Sequence, residues 1–109
     1  MFSISGDARI FVCLDSVDFR KGFEGLSWMA ESLFPEKLLT GAYFVFLNKS
    51  CGSIKVLYWD VDGLAIWSKR LEKGTFSRKS LSREMSRRSF LMLLEGVVPQ
   101  KISRRFSIK

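Results

Sequence analysis

Residues 42–71 read AYFVFLNKSCGSIKVLYWDVDGLAIWSKRL, and this stretch decides the fold. It contains three runs rich in strand-forming residues, and we predict strands over Ala42–Leu47, Ser53–Asp60 and Leu64–Leu71. The two links carry turn residues, and Asp62-Gly63 in the second link is a good hairpin signal. Because strands joined by such short links pair antiparallel, the stretch predicts an antiparallel meander.

Outside the meander, the apolar pattern predicts one more strand and two helices. Arg9–Asp15 is a short apolar run that predicts a strand, and Lys21–Phe34 has the spacing of an amphipathic helix that ends before Pro35. The polar stretch Gly74–Arg88 predicts a loop, and Ser86–Gly96 predicts a short helix. This order predicts an α+β fold, an antiparallel sheet of about four or five strands with helices packed on one face.

The length of the chain suits one hydrophobic core. It has 109 residues, 47% of them apolar, and ten phenylalanines and three tryptophans supply large apolar side chains. We predict a single compact domain over residues 1–97 and a basic, disordered tail over residues 98–109. No apolar run reaches about 18 residues and Met1–Gly6 lacks signal-peptide character, so we expect no membrane partner and a cytoplasmic location.

The positive charge is concentrated in the C-terminal part. Met1–Ala65 carries a net charge of −2, whereas Ile66–Lys109 carries +9. A segment of one sign either has a partner of opposite sign or stays solvated, and lysine and arginine interspersed with serine suit phosphate contacts. Nucleic acid is the partner that the composition favours, and a solvated basic surface without a specific ligand is the alternative.

Alternation along the predicted strands places cations and aromatic rings on sheet faces. Lys55 and Trp59 share one face of their strand, Trp67 and Lys69 share a face of the next strand, and Arg70 lies opposite them. A basic and aromatic sheet face is one way to hold unpaired nucleotides. The alternative, which we favour, places the tryptophans in the core because helices must cover one face.

Four motifs in order carry a resemblance to a known family. They are DFRKGFEGL from Asp18, IKVLYWDVDGL from Ile54, KRLEKGTF from Lys69 and LLEG from Leu93. Over Ala8 to Val97 the chain resembles the small accessory proteins called TnpB of insertion-sequence-66-type transposons, which are not the RNA-guided nucleases of the same name. The Ser/Arg-rich link and the basic ending differ from that family, which generally has a proline-containing link and a more acidic ending.

The resemblance implies a helper of transposition that is encoded beside a separate transposase and has no settled catalytic activity. We predict a non-catalytic accessory protein that binds nucleic acid, DNA in preference to RNA, through a basic surface. The alternative is an adaptor that holds the transposase or other proteins of the same element. The candidate nucleic-acid-binding residues are Arg20, Lys21, Lys55, Trp59, Lys69, Arg70 and Lys73. Structural or orienting roles go to Asp18, Gly22, Asp60 and Gly63, and Ser16 or Asp18 is expected to cap the first helix.

An enzymatic centre has little support in the sequence. The chain has no histidine, so neither a serine nor a cysteine nucleophile has a histidine base, and Cys13 and Cys51 lack the paired spacing of a zinc site. The remaining enzymatic alternative is a metal-dependent nuclease built on the aspartates at positions 15, 18, 60 and 62. We expect a non-enzyme with no cofactor, no metal and two structural thiols.

Overall fold

A computed structural model of the chain describes Ile4 and residues 6–95, which form five strands, two α-helices and a short 3-10 helix. The strands are β1 (Ile10–Val12), β2 (Tyr43–Leu47), β3 (Ser53–Asp60), β4 (Gly63–Arg70) and β5 (Glu84–Met85). The helices are α1 (Phe23–Leu33) and α2 (Arg87–Leu94), and the 3-10 helix is Arg78–Ser80. The predicted domain boundary at residue 97 and the predicted tail lie outside the described residues.

The strands form a single mixed sheet in the order β4-β3-β2-β1-β5. The predicted meander is confirmed, because β2, β3 and β4 pair antiparallel along their lengths. However, β1 pairs parallel with β2, with Phe11 beside Phe44. The prediction of a purely antiparallel sheet is therefore wrong. The physical reason is the connection: α1 lies between β1 and β2 in the chain, and a helical crossover returns the chain to the same end of the sheet.

The fifth strand lies inside the stretch that was predicted as a loop. Glu84 and Met85 pair antiparallel with β1, with Met85 opposite Ile10. The Arg9 guanidinium donates to both carboxylate oxygens of Glu84 at 2.9 Å, which fastens this short edge strand from its exposed side. A two-residue strand has too few side chains to show an alternation, so the sequence pattern could not reveal it.

The two helices pack on opposite faces of the sheet, so the prediction that helices pack on one face is wrong. One core cluster joins the buried side of α1 to the first face of the sheet, through Phe11, Leu26, Ala30, Phe34, Phe44, Phe46 and Leu57. The other joins α2 to the second face, through Ile10, Val12, Val45, Leu47, Val56, Phe90, Leu93 and Leu94. The sequence of β2, YFVFL, is apolar on both faces. Such a strand is buried on both sides, so a helix covers each face of the sheet.

The start of α1 differs from the prediction. Its N-cap is Gly22, which makes no side-chain hydrogen bond, so the expected capping by Ser16 or Asp18 is wrong. The helix covers Phe23–Leu33, shorter than predicted but on the same apolar face, and ends before Phe34 and Pro35. At α2, in contrast, the Ser86 side chain accepts a hydrogen bond from the amide of Ser89, which is ordinary N-cap chemistry.

The β3–β4 hairpin turns at a residue that the sequence did not indicate. Asp60 pairs with Gly63, and Val61 between them has φ of 58°, whereas Gly63 is not among the residues with positive φ. A β-branched residue in the left-handed region is strained, and 88% of Val61 is exposed. Gly63 therefore serves as the first residue of β4, not as the residue that supplies the left-handed turn.

This strain gives a testable prediction. Val61→Gly should stabilise the domain by about 0.5–1 kcal/mol, because relief of a left-handed valine outweighs the added flexibility of glycine in the unfolded chain. Urea unfolding measures the difference. Val61→Ala is the control, since alanine keeps the Cβ atom that disfavours the left-handed region and should gain less than glycine; equal stability of the glycine and alanine variants would contradict the strained hairpin.

Candidate nucleic-acid interface

A surface cleft of about 720 Å³ lies at the end of the sheet where β1 leads into α1 and β2 turns into β3. Its walls are the segment from Ser16 to Arg20 and the turn from Asn48 to Ser50. The amide of Val17 donates to the carbonyl of Leu47 at 2.9 Å, which ties the first wall to the end of β2. Both walls are loops, but this hydrogen bond fixes the first wall relative to the end of the sheet.

Asp18 and Arg20 form an ion pair on the first wall. Nε of Arg20 lies 3.1 Å from both oxygens of Asp18, Nη2 lies 2.7 Å from Oδ2, and the Arg20 amide also donates to Oδ1. These hydrogen bonds lower the pKa of Asp18 from its ordinary 3.8 to about 2. Because 91% of the Arg20 side chain is exposed, the carboxylate orients a cation that still faces solvent.

The lowered pKa of Asp18 predicts a pH dependence. A carboxyl whose pKa is lower in the folded chain stabilises that chain above its unfolded pKa, and the contribution is lost as the pH falls through about 2. The stability difference between the wild type and Asp18→Asn should therefore be complete near neutral pH and should close in the acid range. Unfolding curves across pH, with Asp15→Asn as the control, measure it; a difference that stays constant down to the lowest pH would contradict the pairing.

Lys55 reaches the same wall from β3. Its Nζ donates to the carbonyl of Phe19 at 3.1 Å and lies 5.1 Å from the centroid of the Phe19 ring. Lys55 is opposite Ser68 on β4, and Arg70 is opposite Ser53, so Lys55 and Arg70 are diagonal neighbours on the face that α1 covers. Lys55 thus holds the Phe19 segment in place while adding positive charge beneath it.

Six cations gather at this end of the sheet. Arg20, Lys21 and Lys55, all predicted contacts, lie on the α1 side, and Lys49, which was not predicted, lies on the opposite wall of the cleft. The fifth is Arg70 at the end of β4, also a predicted contact. Lys73 follows β4 shortly after Leu71, whose amide donates to the carbonyl of Gly52 in the β2–β3 turn, so Lys73 belongs to the same end.

The other predicted contacts lie elsewhere, so the cations and tryptophans of β3 and β4 do not share one open sheet face, which was the less favoured of the two interpretations. Lys69 is on the α2 face, where its Nζ donates to the carbonyl of Leu94 at 3.0 Å. Trp67 is half-buried on that same face. Trp59 is 38% exposed but lies at the hairpin end of β3 beside Asp60, four residues or about 13 Å along the strand from Lys55.

Arg78 joins the two chain segments that lead into the walls of the cleft, a role that sequence reasoning missed. Its Nη1 donates to the carbonyl of Leu14 at 2.8 Å and its Nη2 donates to the carbonyl of Asn48 at 3.1 Å. One guanidinium therefore bridges the segment after β1 and the turn after β2, which carry the two walls. The sequence offered no signal for this role, because Arg78 stands in a serine- and arginine-rich link whose cations look alike.

Because Arg78 bridges two chain segments, its replacement should lower the free energy of unfolding by more than the loss of one charge explains. Arg78→Met keeps the aliphatic stem but removes both hydrogen bonds, so we expect a loss of about 1.5 kcal/mol in the free energy of unfolding. Lys79→Met, an equal change of charge at the exposed neighbour in the same 3-10 helix, should cost far less. Urea unfolding of both variants measures the effect, and equal losses would contradict the bridge.

Other C-terminal cations also bind backbone carbonyls. Arg83 donates to the carbonyl of Leu33 at 2.8 Å, with its guanidinium 4.9 Å from the centroid of the Phe34 ring. Arg87 donates to the carbonyl of Ile4 at 3.0 Å. With Lys69 and Arg78, four cations of the basic part hold chain segments together. The charge asymmetry seen in the sequence therefore arises in part from cations that hold the fold together.

The thiols and carboxylates of the described residues are their possible metal ligands. Cys13 and Cys51 are both free and buried, and burial raises the pKa of the Cys13 thiol. Between residues 6 and 95, no group of three or more cysteine, aspartate or glutamate side chains is placed to hold a metal ion. Neither α1 nor α2 has the length and apolar character of a membrane-crossing helix.

Comparison with known proteins gives one family match and two curated relatives. The family model described as IS66 Orf2-like protein matches residues 8–104. The uncharacterized protein y4jC of Sinorhizobium fredii is 32% identical over 108 residues, which cover 96% of this chain and 92% of the relative. The uncharacterized protein y4hO of the same organism is 30% identical over 70 residues, covering 64% of this chain and 61% of the relative. No solved structure gives a significant match.

Proposed function

The chain belongs to the IS66 Orf2-like family of transposition-associated proteins, and on this premise we propose that it is a non-catalytic accessory protein that binds DNA through the cations around the cleft. One observation carries the proposal. Arg20, Lys21, Lys49 and Arg70 converge on one end of the sheet, whereas Asp60 and Asp62 occupy the opposite end. A cluster of cations at one end attracts a polyanion to that side of the molecule.

Arg20 is the cation best placed to bind a phosphate. A guanidinium has five N–H donors, and Asp18 takes one from Nε and one from Nη2. The remaining donors, including both on Nη1, are left for phosphate oxygens, which favour such planar donors. Asp18 thus orients Arg20 before the ligand arrives, and less side-chain freedom is lost on binding.

The other cations have distinct parts in this proposal. Lys21, Lys49, Arg70 and Lys73 supply further phosphate contacts, which position the protein on the backbone without reading bases. Lys55 acts mainly as a positioning residue, since its ammonium binds the Phe19 carbonyl. Lys69 and Trp59 lie outside this group, so the proposed interface assigns them no contact.

The test is fluorescence anisotropy with labelled DNA and the purified chain. Duplexes that carry the terminal repeats of the element, scrambled duplexes of equal length and single strands are compared at low and at physiological salt. We expect binding to duplex DNA that weakens as salt rises, because phosphate contacts release counterions. No binding at low salt would overturn the proposal and leave an adaptor for the transposase as the function to test.

A further inference from the structure

The two edges of the sheet differ in length. At one edge β5 has two residues, whereas at the other edge β4 has eight and pairs with β3 without a bulge. Natural edge strands are usually short, bulged, charged or interrupted by proline, because exposed backbone groups recruit another strand. β4 contains no proline, and its charged residues, Lys69 and Arg70, occupy only its last two positions. It is therefore the edge that a further strand could extend.

The apolar side chains of β4 are incompletely covered. None of its eight residues is buried, whereas four of the five residues of β2 are buried. Leu64 and Ile66 contact the core cluster on the α1 side but remain partly exposed. The helices pack on the two faces of the sheet, and the described residues place no strand beside β4 on its outer side. A strand added there would bury more of this apolar area.

The pairing with β3 determines which backbone groups of β4 point outward. Asp60 and Gly63 are opposite residues that flank a two-residue turn, so they form a hydrogen-bonded pair. Such pairs alternate along antiparallel strands, so Leu64, Ile66 and Ser68 direct their amides and carbonyls away from β3. These three residues present the donors and acceptors that a further strand would pair with.

We propose that β4 pairs antiparallel with β4 of a second copy of the chain, with Ile66 facing Ile66 across a two-fold axis. Outward-directed residues face one another in such a pair, so the axis passes through one of them. With Ile66 on the axis, Leu64 of each copy faces Ser68 of the other. The three facing pairs exchange about six backbone hydrogen bonds and join the two sheets into one.

Charge complementarity selects this arrangement. Antiparallel pairing about Ile66 brings Arg70, at the cationic end of β4, beside Asp62 in the β3–β4 turn of the second copy. Symmetry makes this contact twice. Parallel pairing would instead bring the two cationic ends together, and moving the axis to Ser68 would place Arg70 against Ile66. Opposite charges across a strand pair are stabilising, whereas like charges are destabilising.

The inference goes beyond the proposed function and does not depend on it. The edge has a cation at one end and a carboxylate at the other, so it is complementary to itself, which favours a second copy over an unrelated strand. Arg20, Lys21 and Lys49 lie outside the pairing. A guanidinium has five N–H donors, so Arg70 can bind Asp62 and a phosphate at once.

The test is sedimentation equilibrium of the full chain without DNA, across a concentration series. We expect a reversible dimer. Ser68→Pro should raise its dissociation constant by about tenfold or more, because the proline ring removes an outward amide and leaves the hydrogen bonds to β3 intact. Circular dichroism and urea unfolding check that this variant keeps the fold.

Charge reversal tests the register of the pair. Asp62→Arg and Arg70→Asp should each raise the dissociation constant about tenfold, since each places like charges side by side at both ends of the pair. The two substitutions combined in one chain restore opposite charges and should return the constant to near the wild-type value. The control is Arg88→Asp, the same change of charge in α2 directly after β5, which should leave the dimer nearly unchanged.

The remaining outcomes decide against the inference. A chain that stays monomeric up to its highest soluble concentration would overturn it and leave this edge to a different strand. A dimer that a folded Ser68→Pro variant does not weaken would place the interface elsewhere and overturn it as well. A combined charge variant that associates no more tightly than the single variants would overturn the pairing about Ile66. If Ser68→Pro does not fold, the charge-reversal series decides alone.

Discussion

Phe44→Ala should destabilise the domain by about 3–5 kcal/mol, the largest effect that we expect from a single substitution. Phe44 is fully buried at the centre of the sheet, between Phe11 on β1 and Leu57 on β3. Its ring centroid lies 5.8 Å from that of Phe11 and 6.1 Å from that of Phe34, so truncation opens a cavity among three aromatic rings. Urea unfolding followed by circular dichroism measures the loss.

The chain offers a matched control in Phe23. This phenylalanine is 51% exposed at the first position of α1, so Phe23→Ala removes the same atoms without opening a buried cavity. It should cost less than about 1 kcal/mol. Similar losses for the two variants would contradict the packing of α1 on the face of the sheet that carries Phe44.

Replacing Arg20 and Lys21 together by alanine should weaken binding to duplex DNA about 100-fold at low salt, which corresponds to about 2.7 kcal/mol. Arg20 lines the cleft and Lys21 follows it in the chain, and the exposed guanidinium of Arg20 is already oriented by Asp18. Lys55 is left unchanged in this variant because it holds the Phe19 carbonyl, and its removal would alter the wall itself. Anisotropy titrations give the two dissociation constants.

The control for this variant has the same change in net charge. Lys37→Ala with Arg88→Ala removes two cations that follow α1 and begin α2, away from the cleft. It should weaken binding no more than a few-fold, through the loss of long-range attraction alone. If both double variants lost the same affinity for DNA, binding would depend on net charge and not on the position of the cations. That result would contradict the proposed interface.

The local features of this fold could be predicted from the sequence. The β2–β3–β4 meander follows from short links with turn residues, and α1 follows from apolar spacing that ends before Pro35. Those signals are local because each depends on neighbouring residues only. The parallel pairing of β1 and the short strand β5 depend on which strands meet in space, and no local pattern specifies that.

The placement of helices was mispredicted for a related reason. The tryptophans and cations of β3 and β4 suggested one open sheet face, whereas α1 and α2 cover the two faces. The strand β2, apolar at every position from Tyr43 to Leu47, is the signal that could have corrected this, since a strand without alternation is covered on both sides.

The candidate site was predicted in part. The sequence grouped Asp18 with Arg20, and the structure shows them paired. It gave no means to tell a cation that faces solvent from one that binds a carbonyl, so Lys69 and Arg20 looked equivalent. The bridging contact of Arg78 joins residues distant in sequence and could not have been found without the fold.

The dependence of DNA binding on salt tests the central claim most directly. The logarithm of the binding constant is measured against the logarithm of salt concentration for the wild type, for Arg20→Ala with Lys21→Ala, and for Lys37→Ala with Arg88→Ala. Each phosphate contact contributes about −0.9 to the slope, so the cleft variant should have a slope shallower by about 1.8, and the control should match the wild type. Identical slopes in all three proteins, or no binding by the wild type at low salt, would contradict a phosphate-binding surface at the cleft.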